Sequence, residues 1–155
     1  MTMNSTDQSP KAIIFIGLQA SGKTTYYRQH FQEDYVHINL DTLHTRNKET
    51  KLMEDCLRQG KSFVVDNTNP TAVDRKKYIE AARAQGYVIE GYFFRSIVQA
   101  CVERNSQRTG KACVPNRAIA FTSNRLEMPF YEEGFDKLYF VHIQDGEFVT
   151  EPWTE

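Results

Sequence analysis

The chain has 155 residues, a net charge of −1 and three cysteines without a C-x-x-C pair, and 40% of its residues are hydrophobic. This length supports one hydrophobic core rather than two ordinary domains, and the composition is typical of a globular protein. The lack of a long apolar run and of paired cysteines argues against a membrane span, a disulfide framework and a zinc site.

The first ten residues are polar and show no basic region followed by an apolar one, so they do not resemble a secretory signal. We therefore expect a disordered N-terminal tail at 1–10 and a cytoplasmic location. A single domain is expected at 11–150, followed by a C-terminal tail at 151–155. No feature indicates a membrane partner, and the sequence leaves the oligomeric state open.

Apolar runs alternate with segments of helical periodicity, which is typical of β-α-β units on a parallel sheet. The predicted strands are 11–17, 35–39, 61–66, 87–95 and 137–143. The predicted helices are 22–32, 42–59, 71–85, 96–107 and 115–128. Gly60 and Gly86 favour helix ends. Thr71, with Asp74 in the first turn that follows it, favours a helix start. Right-handed crossovers would bring the carboxyl ends of the parallel strands to one edge, where ligands bind.

The segment that follows the first predicted strand matches the phosphate-loop (Walker A) pattern G-x-x-x-x-G-K-[ST] at every fixed position. Its backbone N–H groups and the following helix N-terminus are suited to the phosphates of ATP. Lys23 is predicted to reach the β- and γ-phosphates, and the Thr24 hydroxyl to ligate Mg²⁺. The predicted ATP-binding residues are Gly17, Leu18, Gln19, Ala20, Ser21, Gly22, Lys23, Thr24 and Thr25. A Gly-rich turn without a ligand is the alternative, which the flanking strand and helix disfavour.

This motif within alternating strands and helices predicts an α/β fold. We expect a three-layer sandwich of the P-loop NTPase kinase type, built on a mostly parallel five-stranded sheet.

An aspartate lies at or just after the end of each of the next two predicted strands. Asp41 could accept a proton from an attacking hydroxyl, or it could merely cap the following helix. Asp66 ends the apolar run 63–65 and has the form of a Walker B acid that holds the magnesium shell. Its alternative is an Asx-turn, but the phosphate loop favours the metal-binding interpretation.

The segment after the fourth predicted strand is basic. Between Arg104 and Leu126 there are five basic side chains and no acidic one. Arg104 and Arg108 are four residues apart, so they are predicted to share a face near the end of a helix. We expect Arg108, and after it Arg104, to stabilise the transferring phosphoryl group from a lid. The alternative is the ordinary preference of helix C-termini for cations.

Most of the aromatic side chains lie in predicted strands or helices, so we expect them to be buried rather than to form a surface for stacking bases. They are Tyr87, Tyr92, Phe93, Phe94, Phe121, Phe130, Tyr131, Phe135, Tyr139 and Phe140. The four histidines show no metal-ligand spacing, and His44 is the one closest in sequence to Asp41.

Beyond the phosphate loop, segments 39–43, 66–70, 104–108 and 131–135 resemble, in order and spacing, the kinase domain of polynucleotide kinase/phosphatase enzymes. The similarity runs from about residue 11 to residue 143. The resemblance implies transfer of the ATP γ-phosphate to a nucleic-acid 5′-hydroxyl. It also implies Asp41 as general base, Lys23 and Thr24 at phosphate and magnesium, and Arg104 with Arg108 in the lid. Asp66 matches the acid of the family's aspartate-asparagine-threonine-asparagine-proline segment.

The chain departs from this family at two positions near the predicted base. Leu40 stands where members tend to have arginine. His44 stands where phage-type enzymes have an arginine that holds the acceptor, with Arg46 as a nearby substitute. These departures weaken the case for a nucleic-acid acceptor more than the case for ATP. No D-x-D-x-T-type segment is present, so removal of phosphate from nucleic-acid ends is not expected.

Three functions are compatible with these residues. The favoured one is an ATP- and Mg²⁺-dependent kinase that acts on a hydroxyl, with a DNA or RNA 5′-end as acceptor. The second is a kinase for a nucleoside, sugar or antibiotic hydroxyl, toward which the nearly neutral net charge leans. The third is a regulatory module that binds ATP without transferring phosphate, which the combination of Lys23, Asp41 and Arg108 disfavours.

Overall fold

The computed structural model describes residues 9–154, which form a six-stranded sheet flanked by helices. The strands are β1 (Lys11–Ile16), β2 (Val36–Ile38), β3 (Phe63–Val65), β4 (Val88–Phe94), β5 (Lys137–Gln144) and β6 (Glu147–Pro152). The helices are α1 (Lys23–His30), α2 (Leu40–Leu43), α3 (Arg46–Gln59), α4 (Ala72–Ala84), α5 (Val98–Asn105) and α6 (Asn116–Arg125). The predicted tail at 1–10 lies outside the described residues, except for Ser9 and Pro10. Over 9–154, no helix combines the length and apolar character needed to cross a membrane.

The strand order is β2-β3-β1-β4-β5-β6. Strands β1 to β5 run parallel to one another, and β6 runs antiparallel to β5. The predicted α/β class is confirmed, but the sheet has six strands within the described chain rather than five. The sixth forms because Asp145 and Gly146 both have positive φ, at 54° and 80°, as a tight hairpin turn requires. Residues 151 and 152, expected in a C-terminal tail, are the end of β6.

Strand β1 lies at the centre and is covered on both faces, which explains its uninterrupted apolar sequence. On one face Ile14 and Ile16 pack with buried residues of α3 and α4. On the other face Ile13 and Phe15 pack with Tyr26 of α1 and with aromatic side chains of β4. The sheet is therefore the middle of three layers, and its carboxyl edge carries the loops that follow β1, β2, β3 and β4.

The helix predicted at 42–59 is two helices. Asn39 caps α2, because its side chain accepts a hydrogen bond from Thr42 N–H at 3.1 Å. His44 then adopts a φ of 75°, which ends α2 after one turn. Thr45 caps α3 by accepting from a backbone N–H of its first turn, and Gly60 ends α3 with a φ of 67°. Two N-cap residues, Asn39 and Thr45, encode the break between the helices. Helical periodicity alone does not detect such a break.

Helix α4 starts after Thr71 as predicted, and its first turn is fastened to the segment that enters β5. The guanidinium of Arg75 is fully buried. Its Nε and Nη2 donate to the two carboxylate oxygens of Glu133 at 2.9 and 3.0 Å. Its Nη1 donates to the carbonyl oxygens of Asn69 and Glu127 at 2.9 and 3.3 Å. One side chain thus joins the loop after β3 to the chain before β5.

We expect Arg75→Met to lower the free energy of unfolding by about 3 kcal/mol, because the substitution leaves a largely buried carboxylate and two carbonyls without their donor. Urea denaturation followed by circular dichroism measures the loss. The matched control is Arg83→Met, because exposed Arg83 donates to the nearby carbonyl of Gly134 from the surface. That substitution should cost less than about 1 kcal/mol. Equal losses in the two variants would contradict the special role of the buried guanidinium.

The expectation of buried aromatic side chains is wrong for three residues. Phe121, Phe130 and Tyr131 are 63%, 51% and 42% exposed. Phe121 lies on α6, and the other two lie in the segment before β5 that Arg75 joins to α4. The Arg125 guanidinium lies 5.8 Å from the centre of the Phe121 ring, so this exposed ring has a cation beside it.

Candidate active site

The phosphate loop connects β1 to α1 and leaves the N-terminus of that helix uncapped by any side chain. Gly22 precedes the helix with a φ of 103°, a left-handed conformation that favours glycine. The Phe148 ring lies so close that a Cβ at this position would be 2.9 Å from it. The N–H groups in the first helical turn, from Lys23 to Thr25, have no intrahelical partner. This geometry provides donors and a positive dipole end for an anion.

The loop is held by contacts to the two neighbouring strand ends. Gly17 N–H donates to the carbonyl oxygen of Thr68 at 3.0 Å, and Leu18 N–H donates to Ser96 Oγ at 3.1 Å. Two polar atoms of the loop, Ser21 Oγ and Gln19 Oε1, are buried without a hydrogen-bond partner among the described residues. Buried polar atoms are normally paired, so these two are consistent with a loop built around a polar ligand.

Lys23 is buried, and its ammonium donates to the carbonyl oxygens of Gly17 and Leu18 at 3.1 and 2.7 Å. Burial lowers the pKa of Lys23 to about 8. The carboxylates of Asp66 and Asp41 oppose this shift, and the guanidinium of Arg108 reinforces it. Lys23 is therefore placed where three other predicted site residues influence its charge.

The Thr24 hydroxyl donates to Asp66 Oδ2 at 2.7 Å. Asp66 is buried at the end of β3. The same oxygen, Oδ2, also lies 2.8 Å from His37 Nε2. Hydroxyl and carboxylate oxygens suit Mg²⁺, which is bound in kinases through few protein groups and keeps waters and phosphate oxygens as its other ligands. The predicted metal-binding pair is therefore chemically suitable. Across residues 9–154, no cluster of three or more His, Cys, Asp or Glu side chains forms a further metal site.

His37 is a site residue that the sequence did not indicate. It lies in the middle of β2, and its ring stacks on Tyr27 of α1 with centroids 4.0 Å apart. Strand β2 pairs with β3, which places His37 beside Asp66 although the two are 29 residues apart in sequence. No local pattern distinguishes this histidine from one on an ordinary strand face.

Asp41 is the second residue of α2 and is exposed at the carboxyl edge of the sheet. Because Asn39 is the N-cap, the carboxylate of Asp41 is not used for capping. The loop after β3 supports this turn, since Leu40 N–H donates to Asn67 Oδ1 at 2.9 Å and the Asn39 amide donates to the Asp66 carbonyl at 2.6 Å. Asp41 is thus presented on a short helix held by side-chain amides.

The two predicted acceptor-binding residues follow Asp41. His44 is exposed at the end of α2. Arg46 begins α3, and its Nη1 donates to Glu49 Oε1 at 3.0 Å and to the Tyr78 hydroxyl at 3.3 Å. The Arg46 side chain keeps 58% of its surface exposed, so it is anchored at one nitrogen and open to solvent elsewhere.

The two lid arginines occupy different places, contrary to the prediction that they share a helix face. Helix α5 ends at Asn105, so Arg108 lies in the turn beyond it. Arg104 Nε donates to the Ala20 carbonyl of the phosphate loop at 2.7 Å. Arg108 Nη1 donates to the Ala112 carbonyl at 3.1 Å. Arg104 therefore ties α5 to the phosphate loop, whereas Arg108 contributes to the lowered pKa of Lys23.

Asn105 fixes the shape of the segment predicted to form a lid. Its side chain is buried, accepts from Val114 N–H at 3.0 Å and donates to the Val114 carbonyl at 2.6 Å. This pair of hydrogen bonds closes the segment that contains Arg108. The sequence placed Asn105 between the two arginines but gave no indication of this role.

A cleft of about 230 Å³ lies between α5, β5 and the phosphate loop. Its walls include Ser21, Arg95, Arg104 and His142. The cleft and Asp41 lie on opposite sides of the phosphate loop. The space beside the loop is therefore separate from the side that carries the predicted base.

Comparisons with known proteins agree with this architecture. The AAA domain family AAA_33 matches residues 13–129. A bifunctional polynucleotide phosphatase/kinase of Schizosaccharomyces pombe is 30% identical over 150 residues, covering 92% of this chain and 37% of the relative. A putative bifunctional polynucleotide phosphatase/kinase of Acanthamoeba polyphaga mimivirus is 32% identical over 136 residues, covering 83% of this chain and 32% of the relative. The chain therefore spans well under half the length of these two relatives.

Solved structures share the fold at lower sequence identity. The structure of the Pnkp1/Rnl/Hen1 RNA repair complex matches with a TM-score of 0.67 and 20% identity, covering 100% of this chain and 52% of that one. Kti12 of Chaetomium thermophilum, in complex with ADP-AlF3, matches with a TM-score of 0.64 and 18% identity, covering 86% and 90%. A gluconokinase of Sinorhizobium meliloti matches with a TM-score of 0.60 and 20% identity, covering 86% and 83%.

The family match spans most of the chain, and the resemblance inferred from the sequence is confirmed by the curated relatives. Over the residues that align, the chain is similar to two polynucleotide phosphatase/kinase enzymes, and it belongs to the AAA domain family of P-loop proteins.

Proposed function

We propose that the chain is an ATP- and Mg²⁺-dependent kinase that transfers the γ-phosphoryl group to the 5′-hydroxyl of DNA or RNA. The observation that carries the proposal is the buried ammonium of Lys23 together with the hydrogen bond from Thr24 to Asp66, both beside an uncapped helix N-terminus. Phosphoryl transfer requires a phosphate cradle, a metal-holding acid, a base and a cation from a lid. The phosphate loop, Asp66, Asp41 and Arg108 would supply these four in turn. The named activity of the two curated relatives supports the same reaction.

The residues of the loop bind and orient ATP. Lys23 and the first-turn N–H groups of α1 would hold the β- and γ-phosphates, and Thr24 with Asp66 would hold Mg²⁺. When bound, the metal neutralises charge on the phosphate oxygens. The neutral-to-basic walls of the 230 Å³ cleft beside Ser21 and Arg95 offer space for the nucleoside part of the nucleotide.

The chemical step requires removal of the proton of the acceptor hydroxyl. Asp41 would accept that proton while the hydroxyl oxygen forms a bond to the γ-phosphorus, and the bond from the γ-phosphorus to the bridging oxygen breaks to release ADP. Arg108 would stabilise the charge that spreads over the γ-phosphoryl oxygens. Lys23 remains protonated and balances charge on the leaving group.

The openness of the acceptor side favours a polymer end over a small molecule. Helix α2 contains no buried residue, and Asp41 and His44 are both exposed. An open surface admits the end of a long chain, whereas kinases of small substrates generally bury most of the substrate surface. The run from Arg104 to Leu126 also offers five basic side chains without an acidic one for contacts to backbone phosphates.

The test is incubation of the pure protein with Mg²⁺ and ATP labelled at the γ-phosphate, together with 5′-hydroxyl oligonucleotides of DNA and RNA. We expect labelled oligonucleotide ends and no label on oligonucleotides that already carry a 5′-phosphate. Label on nucleosides, sugars or antibiotics alone would replace the proposed acceptor with a small molecule. Nucleotide binding without transfer to any hydroxyl would identify a regulatory module instead.

The lowered pKa of Lys23 predicts how ATP binding depends on pH. In the free protein this pKa is about 8, and phosphate charge beside the ammonium raises it in the complex. Between these two values binding must take up a proton, so affinity falls as pH rises. We expect the ATP dissociation constant, measured by calorimetry without divalent cations, to increase about tenfold between pH 7.5 and pH 9. Lys23→Met should bind weakly at both pH values, and an unchanged pH dependence in that variant would assign the effect to another group.

A further inference from the structure

Glu49 is a buried carboxylate that the proposed reaction does not use. It lies in the first turn of α3 and is 1% exposed. Its Oε1 accepts from Arg46 Nη1 and from the Tyr78 hydroxyl, each at 3.0 Å, and the Lys77 ammonium is 3.8 Å away. Two cations and a hydroxyl therefore compensate the charge on one oxygen of this carboxylate.

The second oxygen of Glu49 points to the active-site edge. Glu49 Oε2 accepts from Asn67 Nδ2 at 2.6 Å. The other end of the same amide, Asn67 Oδ1, accepts from Leu40 N–H at 2.9 Å. Leu40 is the first residue of α2, and Asp41 follows it directly. An unbroken chain of hydrogen bonds thus runs from a buried carboxylate to the backbone that carries the proposed base.

We propose that Glu49 is a positioning residue that holds Asp41 in place through the side-chain amide of Asn67. This inference rests on the proposed function of Asp41 as general base. Glu49 acts on the orientation of Asn67: because the carboxylate can only accept, the amide nitrogen must face Glu49 and the amide oxygen must face Leu40 N–H.

Helix α2 depends on such hydrogen bonds because it has little else to hold it. It consists of one turn, Leu40–Leu43, without a buried residue, and isolated helices of this length are unstable in water. Its remaining support is the cap by Asn39, the hydrogen bond from the Asn39 amide to the Asp66 carbonyl and the half-buried side chain of Leu43. Loss of the Asn67 contact would let the turn shift, and a displacement of about 1 Å from the reacting geometry can cost a factor of about 10² in rate.

The substitution Glu49→Gln isolates this effect with almost no change in volume. The new amide has a single acceptor oxygen, which Arg46 and Tyr78 both require, so its nitrogen faces Asn67 Nδ2 and two donors oppose each other. Asn67 can then satisfy either position 49 or Leu40 N–H, but not both. The matched control is Lys77→Met, which removes a cation from beside Oε1 of the same carboxylate and leaves the Asn67 contact at Oε2 intact.

A second substitution should restore the chain of hydrogen bonds from position 49 to Leu40. In Asn67→Asp alone, two carboxylates would face each other where the present oxygen-to-nitrogen distance is 2.6 Å, so Asp41 should again be displaced. In the double variant E49Q/N67D, the amide at position 49 donates to the carboxylate at position 67, whose other oxygen accepts from Leu40 N–H. We therefore expect each single variant to be impaired and the double variant to recover.

Hydrogen exchange at the Leu40 amide, followed by nuclear magnetic resonance, tests the contact without reference to activity. We expect exchange at this amide to accelerate about tenfold in E49Q and N67D, and to stay near the wild-type rate in E49Q/N67D and in Lys77→Met. Unchanged Leu40 exchange in E49Q would overturn the positioning role, whatever the protein phosphorylates.

Steady-state kinetics tests the consequence for the reaction. We expect kcat to fall about 10- to 100-fold in E49Q, with the ATP dissociation constant unchanged, and to recover to within about threefold in E49Q/N67D. In an Asp41→Asn background, E49Q should cause no further loss, because the base it positions is gone. Equal losses from E49Q with and without Asp41 would overturn the proposal. A wild-type protein without transferase activity would instead contradict the proposed function, and Leu40 exchange would still report on the contact.

Discussion

Replacing Asp41 with asparagine is expected to lower kcat for phosphoryl transfer by about 10²- to 10⁴-fold, while the dissociation constant for ATP changes little. An amide of the same shape cannot accept the proton of the acceptor hydroxyl. Asp41 is exposed and is not the N-cap of α2, so its loss removes a chemical group without removing a structural one. Single-turnover assays with a 5′-hydroxyl oligonucleotide measure the rate, and ATP affinity is measured separately by calorimetry.

The measurements belong at pH 7, below the pKa of Lys23 of about 8, so that this ammonium stays mostly protonated when the neighbouring carboxylate is removed. Asp55→Asn is the matched control. Asp55 lies on α3, the helix that follows α2, and pairs with Arg58 and Lys51 at the surface. The control should retain the wild-type rate. Near-wild-type kcat in Asp41→Asn would remove the general base from the mechanism and leave only positioning and charge.

The parts of the fold predicted best are those encoded over short distances. Strand β1 is apolar because both of its faces are covered, and the phosphate loop follows it with every fixed residue in place. The end of α3 at Gly60 and the start of α4 after Thr71 also follow from local capping rules. Such signals need no knowledge of what packs against them.

The contacts that the sequence did not predict join residues far apart along the chain. His37 meets Asp66 across 29 positions, and Glu49 meets Asn67 across 18. Glu49 has the sequence context of a solvated charge on a helix, yet it is buried because Arg46 and Lys77 converge on it from two helices. Burial of this kind depends on tertiary packing, which periodicity within one helix does not encode.

Strand β6 follows from a local signal that the predicted elements did not include. Asp145-Gly146 is a hairpin dipeptide with apolar residues on both sides, and it reverses the chain onto β5. The prediction ended the last strand at residue 143 and placed residues 151–155 in a C-terminal tail, so it did not include this hairpin. Phe148 in this strand covers Gly22 of the phosphate loop, so the hairpin helps to shape the nucleotide-binding end of α1.

Replacing Arg108 with alanine is expected to lower kcat by about 10³-fold or more and to weaken ATP binding far less. The guanidinium would contact the γ-phosphoryl oxygens most strongly when charge spreads over them, so its contribution belongs to the transition state. In the structure Arg108 lies beyond the end of α5, donates to the Ala112 carbonyl and is close enough to lower the pKa of Lys23. Arg108→Lys should recover only part of the rate, because lysine lacks the planar pair of donors.

Two measurements separate this role from general attraction of phosphate. Arg117→Ala removes an exposed charge from the same basic run and should leave kcat within about threefold of the wild-type value. Loss of Arg108 should also raise the pKa of Lys23, since a neighbouring positive charge is gone, and so move the fall in ATP affinity to higher pH. If Arg108→Ala instead weakens ATP binding as much as it lowers kcat/KM, with kcat itself retained, then the arginine binds the ground state and the lid cation of the reaction must come from Arg104.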